Sequence, residues 1–279
     1  MVRTLFSSIS TGSEIAQFRG EDPVAAERPL PAKLGYENVA QIVLCGSSVV
    51  NVREGGYAVG TYGHRDFALV RADQLIPMAK PEPTALLLVL ASDTAKGILN
   101  LQLDVGSSIL VMGAGSIGLL TLFNLHSRGH ASIDVVEPIE PRRMFAANFG
   151  ARSLFSPDDI ARLAGISYTG GFECAGTADA FVALQNRMAH GGRICILSDA
   201  RRSPLPLTPA FHRKELRVQG SSDGLNYQDY SKWFFENADR YPFPELFDYQ
   251  VQFSELPSTL IAMSEGSIQP RKVLVTYNM

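Results

Sequence analysis

The residues Gly113-Ala114-Gly115-Ser116-Ile117-Gly118 carry glycine in the spacing G-x-G-x-x-G, directly after a short apolar run and at the opening of a helical one. The chemistry this spacing allows is the binding of a pyrophosphate. Gly113 permits a tight turn, Gly115 lets the backbone approach the phosphates, and Gly118 lets helix and strand pack closely. Ser116 and Ile117 place their N–H groups in the first helical turn, where unpaired donors and the positive dipole end favour anions. Glu137 stands 19 residues beyond Gly118 and closes the next apolar run. A carboxylate there can accept hydrogen bonds from the adenosine ribose hydroxyls, and it repels a 2′-phosphate, which favours NAD over NADP. Arg142 and Arg143, one helical turn further on, can pair with such a phosphate and keep NADP open.

Ligands of open α/β sheets sit outside the carboxyl ends of the strands. Two later strand ends, Cys174-Ala175-Gly176 and Leu197-Ser198-Asp199, therefore place Ala175, Leu197 and Ser198 as candidates for the nicotinamide half. As single residues they also read as ordinary strand-to-helix turns. In the turn Tyr62-Gly63-His64-Arg65-Asp66, His64 offers a titratable acid and Arg65 an anion clamp, or both are simply solvated. The three cysteines, Cys45, Cys174 and Cys195, are far apart and lie in apolar surroundings, so they read as small buried hydrophobes. The five histidines show no H-x-x-x-H spacing, so no local metal-site pattern is found.

These groups need a scaffold, and 279 residues with 46% hydrophobic and 19% charged side chains can build one large domain or two smaller ones. From 107 to 220 strand and helix signals alternate. Strands are expected at 108–112, 132–136, 152–155, 171–174, 193–197 and 215–219. Helices are expected at 116–127, at 141–149 with Gly150 as its stop, and at 177–190, capped by Thr177 and ended by Gly191-Gly192. The fold class is α/β, a doubly wound parallel Rossmann sheet. Residues 1–95 read as a β-rich unit with runs at 38–44 and 67–70, bridged to the sheet by a helix over 84–101. The tail 272–277 returns to it as a last strand. The domains are thus 1–95 with 226–279, and 96–225.

A formal charge of -3 and a pI near 6.0 give no pull toward nucleic acid or an anionic membrane, so the expected partner is a small-molecule substrate. The apolar runs at 85–90 and 108–112 are far short of the roughly 20 residues a membrane span needs. The N-terminus lacks the apolar core of a secretory signal. A cytoplasmic location is expected.

In order along the chain, Ser10-Thr11-Gly12-Ser13-Glu14, Gly35-Tyr36-Glu37, 60–70 ending in F-A-x-V, Asp93-Thr94-Ala95, the glycine turn, Phe172-Glu173-Cys174, Gly191-Gly192-Arg193 and Lys272-Val273-Leu274 form a series. This series resembles the medium-chain dehydrogenase/reductase superfamily over nearly the whole chain. The resemblance implies a chaperonin-10-like β domain, here shortened because an opening hairpin is absent and 43–60 is compact. It also implies a Rossmann domain and a cleft where cofactor and substrate meet. Zinc-dependent members carry C-G-x-D and G-H-E; here Thr11 and Tyr36 stand at the cysteine and histidine positions and Leu90 at the third, and the cysteine-rich lobe is missing. No zinc is expected. Within the zinc-independent branch, I-S-T-G-S-E and G-Y-E-N-V are most similar to bacteriochlorophyllide 3-hydroxyethyl dehydrogenases.

Without a metal, the charge developing on a substrate oxygen must be met by hydrogen-bond donors. By position in the family, Tyr36 is the first candidate donor, or else an aromatic wall. Ser13 matches the proton-relay hydroxyl, although Ala16 occupies the place of the relay histidine. Glu37 reads as structural, paired with an arginine. Of Asp93, Thr94 and Lys96, Thr94 is expected to approach the nicotinamide. The leading function is hydride transfer between a nicotinamide and an alcohol or carbonyl. An enone or quinone reductase, and a dinucleotide-binding protein without catalysis, are the alternatives. A homodimer through 216–219 is implied by the resemblance.

Overall fold

The computed structural model describes residues 1–21, 33–162, 165–199 and 204–278. The chain opens with β1 (Val2–Ile9), α1 (Ser13–Phe18), β2 (Asn38–Ile42), β3 (Tyr57–Gly60), β4 (Phe67–Ala68) and β5 (Ile76–Met78). A 3₁₀ turn, Pro83–Leu87, leads into α2 (Leu88–Leu101). Then come β6 (Ile109–Met112), α3 (Ser116–Ser127), β7 (Ile133–Val136), α4 (Glu140–Phe145), β8 (Ser153–Phe155), α5 (Pro157–Arg162), β9 (Tyr168–Glu173), α6 (Ala178–Arg187), β10 (Met188–Ile196), α7 (Pro209–Arg213) and β11 (Arg217–Gly220). The chain returns through α8 (Tyr227–Ala238), β12 (Tyr249–Gln252), α9 (Leu256–Ser264) and β13 (Val273–Thr276). It divides into two compact units, Met1–Val89 with Tyr227–Met279, and Leu90–Asn226.

In the second unit six strands lie parallel in the order β11-β10-β9-β6-β7-β8, the doubly wound arrangement whose order reverses between β6 and β9. The strands β6 and β7 are buried along their whole length, as strands covered on both faces must be. Helix α3 is apolar nearly all round and buried from Gly118 to Leu125, so it belongs to the core. One cluster of Leu110, Met112, Val136, Tyr168, Phe181, Leu184 and Ile194 joins sheet to helices.

The first unit is a sheet in the order β12-β13-β1-β2-β3-β5, with β4 also on β1. The tail strand β13 returns to the first unit as expected and pairs antiparallel with β1, Phe6 opposite Thr276. Strand β1 bulges between Thr4 and Phe6, where its register with β2 shifts. Ile9, Ile15, Val251, Leu260, Val273 and Val275 form the core between this sheet and α1 and α9.

Several boundaries differ from the sequence reading. The helix expected over 177–190 keeps its Thr177 cap, which accepts from Ala180 N at 3.3 Å, but ends at Arg187 because Met188 is already extended. Gly191 (φ 70) serves instead inside β10, whose register on β9 shifts between Met188 and Arg193. The stop at Gly150 is as expected, left-handed at φ 87. The helix expected over 84–101 is found as one helical stretch from Pro83 to Leu101. Its 19 residues have a mean hydropathy of 1.3, enough by length and composition to span a membrane, but 72% of its most apolar window is buried in the protein.

Candidate functional site

Strand β6 delivers Gly113 in the left-handed region, φ 97. A Cβ there would lie 3.2 Å from Ala175 Cα and from Cys174 C, so the turn and the loop after β9 touch backbone to backbone. At Gly118 a Cβ would lie 2.0 Å from the Gly113 carbonyl oxygen, which only glycine can tolerate. Gly115 is different: it caps α3 with φ -73 and ψ -171, no side chain caps the helix, and a Cβ would meet nothing within 4 Å. The open side of the turn therefore lies at Gly115, beside the first-turn amides of Ser116 and Ile117. That is the shape a pyrophosphate needs, and these residues fit a dinucleotide.

Glu137 follows β7 and is 5% exposed. Its Oε2 accepts from Ala114 N at 2.7 Å and its Oε1 from Ile139 N at 3.0 Å, so the carboxylate braces the glycine turn. Each oxygen keeps a lone pair for a ribose hydroxyl. Arg143 donates through Nη1 to Glu137 O at 2.7 Å and Pro138 O at 3.2 Å, which ties it to the strand end. Arg142 lies half-buried beside it in α4.

Ala175, Leu197 and Ser198 come together through a residue the sequence reading quoted but gave no role. Glu173, last in β9 and fully buried, accepts from Ala175 N at 2.9 Å and Gly176 N at 2.7 Å, and its other oxygen accepts from the Ser198 hydroxyl. The signal in the sequence was an acid at the end of an otherwise apolar strand. Leu197 packs on α2, where a Cβ on Gly97 would come within 2.6 Å of Leu197 Cδ2.

In the other unit Tyr36 and Ser13 share a hydrogen bond of 2.9 Å, and Ser13 and Ser10 another of 2.9 Å. Burial pushes the Tyr36 phenol well above its ordinary value, and the charges of Glu37 and Glu14 push it further. The phenol is neutral through the physiological range and can donate. Glu14 is a hub, accepting from Ser10 N at 3.0 Å and facing His64 Nε2 at 2.9 Å. His64 Nδ1 meets Ser7 Oγ at 2.8 Å, which meets the Tyr277 hydroxyl at 2.9 Å.

His64 is neither exposed nor solvated: its side chain is 3% accessible and both ring nitrogens are engaged. Thr94 is likewise buried, donating to Ala91 O at 3.0 Å and accepting from Asn124 Nδ2 at 2.9 Å. Its hydroxyl joins α2 to α3 through these two bonds. Glu37 pairs with Lys272 rather than an arginine, at 2.7 Å with both side chains fully buried. Ser8 also donates to it. Burial raises the Glu37 carboxyl above its ordinary value, and Lys272 opposes that.

The residues at the positions where the resemblance would put metal ligands are not ordinary metal donors. Thr11 and Tyr36 offer an alcohol and a phenol held neutral, where zinc is usually bound by thiolate, imidazole or carboxylate. Among the described residues no three His, Cys, Asp or Glu side chains gather as a metal set.

No family profile matches the chain. It is 29% identical over 185 residues to a Pseudomonas sp protein named "Probable alcohol dehydrogenase", covering 60% of this chain and 56% of that one. It is 26% identical over 185 residues to L-threonine 3-dehydrogenase of Xanthomonas campestris pv. campestris strain B100, covering 64% and 54%. The chain thus spans about half the length of these curated relatives. Among solved structures, S. aureus TarJ in complex with NADPH superposes with a TM-score of 0.82 at 18% identity, covering 100% of this chain and 91% of TarJ. Alcohol dehydrogenase TADH from Thermus sp. ATN1 gives 0.79 at 19% identity, covering 99% and 92%. The two relatives and the Thermus neighbour are named dehydrogenases, and the fold of this chain is that of the solved neighbours, a six-stranded Rossmann sheet with a β domain.

Proposed function

We propose that this protein is a zinc-independent, NAD-linked oxidoreductase that moves a hydride between nicotinamide and an alcohol or carbonyl carbon of a small molecule. The observation that carries the reading is the glycine turn, closed at Gly113 and Gly118 and open only at Gly115. The preference for NAD rests on Glu137, whose carboxylate faces the turn, and on Arg143 being tied to backbone carbonyls. Zinc independence, and within it the likeness to bacteriochlorophyllide dehydrogenases, rests on Thr11 and Tyr36 at the positions of metal ligands.

The nicotinamide, when bound, supplies or accepts the hydride. Tyr36 hydrogen-bonds the substrate oxygen and gives it a proton as the alkoxide forms. Burial holds the phenol protonated, so the proton is present to be given. Ser13 and Ser10, bonded in series to the phenol, steady the charge it takes on.

Fluorescence titration with NADH and NADPH tests the cofactor. Saturable NADH binding is expected, abolished in Gly115→Val, with NADPH gaining in Glu137→Gln. Binding of neither nucleotide refutes the reading. For catalysis, Tyr36→Phe should cost on the order of 10²-fold or more in kcat for carbonyl reduction with NADH affinity unchanged. Unaltered turnover in that variant would remove Tyr36 from the mechanism.

A further inference from the structure

We infer that Glu173 is a positioning residue for the nicotinamide half of the cofactor, a role that rests on the dinucleotide reading above. Parallel strands leave their carboxyl ends as separate loops, because each chain turns away into its own helix. The ladder holds the backbone of β9 and β10 in register to Glu173 and Ile196 and no further, apart from the bonds of Leu197 N and Ser198 N to Glu173 O at 2.9 and 3.2 Å. Beyond that point the two loops meet through one side chain. One oxygen of Glu173 gathers Ala175 N and Gly176 N, with Gly176 left-handed at φ 71, so that consecutive amides converge on it. The other oxygen accepts from Ser198.

The carboxylate is fully buried, and among the described residues no cation pairs with it. Among the described residues its partners are two amides and a hydroxyl, and these fix the positions of the two loops. On the adenosine side, Glu137 has the same construction, holding Ala114 N and Ile139 N. The two carboxylates brace the two halves of the sheet, one beside the glycine turn and one at the loops where the other half of a dinucleotide lies.

The glycine turn touches both Cys174 and Ala175, and of these the Glu173 side chain holds only Ala175 N. The backbone that Gly113 touches is anchored by Cys174 N donating to Met112 O at 2.9 Å, a ladder bond that survives loss of the side chain. Removing Glu173 should therefore harm nicotinamide binding far more than adenosine and pyrophosphate binding.

The test is calorimetric titration of the whole chain with NADH and with ADP-ribose, which lacks the nicotinamide ring. Wild-type protein should bind both; binding of neither overturns the cofactor reading itself, before any variant is made. In Glu173→Ala, NADH affinity should fall roughly tenfold or more while ADP-ribose changes by less than about threefold, since two amides and a hydroxyl lose their buried acceptor. Glu173→Gln should recover most of the loss, because its carbonyl accepts the two amides and its amide donates to Ser198 Oγ. Ser198→Ala removes only the bond between loops and should shift the NADH to ADP-ribose ratio in the same direction, deciding the matter if Glu173→Ala does not fold. A ratio unchanged in folded variants, or equal losses for both ligands, would overturn the inference.

Discussion

At the scale of single residues, the chain places charge where water cannot reach it and then satisfies it. Glu37 and Lys272 are fully buried and bonded to each other. Breaking such a pair strands the remaining charge, so Lys272→Met should destabilise the protein by about 3–5 kcal/mol in urea unfolding. The double variant with Glu37→Gln should regain most of that; a single variant as stable as the parent would show that the carboxyl sits there neutral. The partnership was only half legible. Glu37 read as structural because it follows the lost ligand position, but its partner is 235 residues away, and no spacing rule names a partner at that distance. His64 and Glu14, 50 residues apart, escaped the sequence for the same reason. An imidazole in a glycine turn looks exposed until the fold brings a carboxylate and Ser7 to its two nitrogens.

At the scale of elements, the β6-turn-α3 unit was legible nearly in full, because its constraints are local. A buried β-branched strand, a left-handed glycine and a helix start are each visible within a few residues. The three glycines nevertheless do different work, and substitution separates them. Gly118→Ala forces a methyl onto the Gly113 carbonyl and should cost about 1–3 kcal/mol in thermal or urea unfolding. Gly115→Ala meets open space and should leave stability within about 0.5 kcal/mol while weakening NADH binding. Equal losses of stability in both would contradict the geometry. The end of α6 was not legible: Gly191-Gly192 has the composition of a helix stop, but the register of β10 on β9 claims those residues first.

For the whole molecule, three buried tyrosines make the first unit sensitive to alkali. Burial raises the phenols of Tyr36, Tyr62 and Tyr277 above their ordinary value of 10.0, that of Tyr277 to about 12. Above pH 10 the unfolded chain therefore holds fewer protons than the folded one. The contribution is complete below pH 10 and is lost as pH rises through the folded values. Tyrosinate absorbance and far-ultraviolet circular dichroism should change together in one cooperative step; a gradual titration with the fold intact would contradict this. We also propose that β11, an edge strand of the parallel sheet, pairs with a second copy of the chain. Light scattering should then give a dimer that a proline at Val218 dissociates.

The sequence alone determined the Rossmann sheet, the glycine turn after β6 and the return of the tail strand to the first unit. Each follows from local periodicity or from a glycine whose backbone angles no other residue adopts. Only the tertiary structure decided which side chains serve the site. It bonded Thr94 to α3, buried His64, and made Glu173 the tie between two loops. Those roles depend on what lies opposite each polar atom once water is excluded, and that is a property of contacts between distant segments.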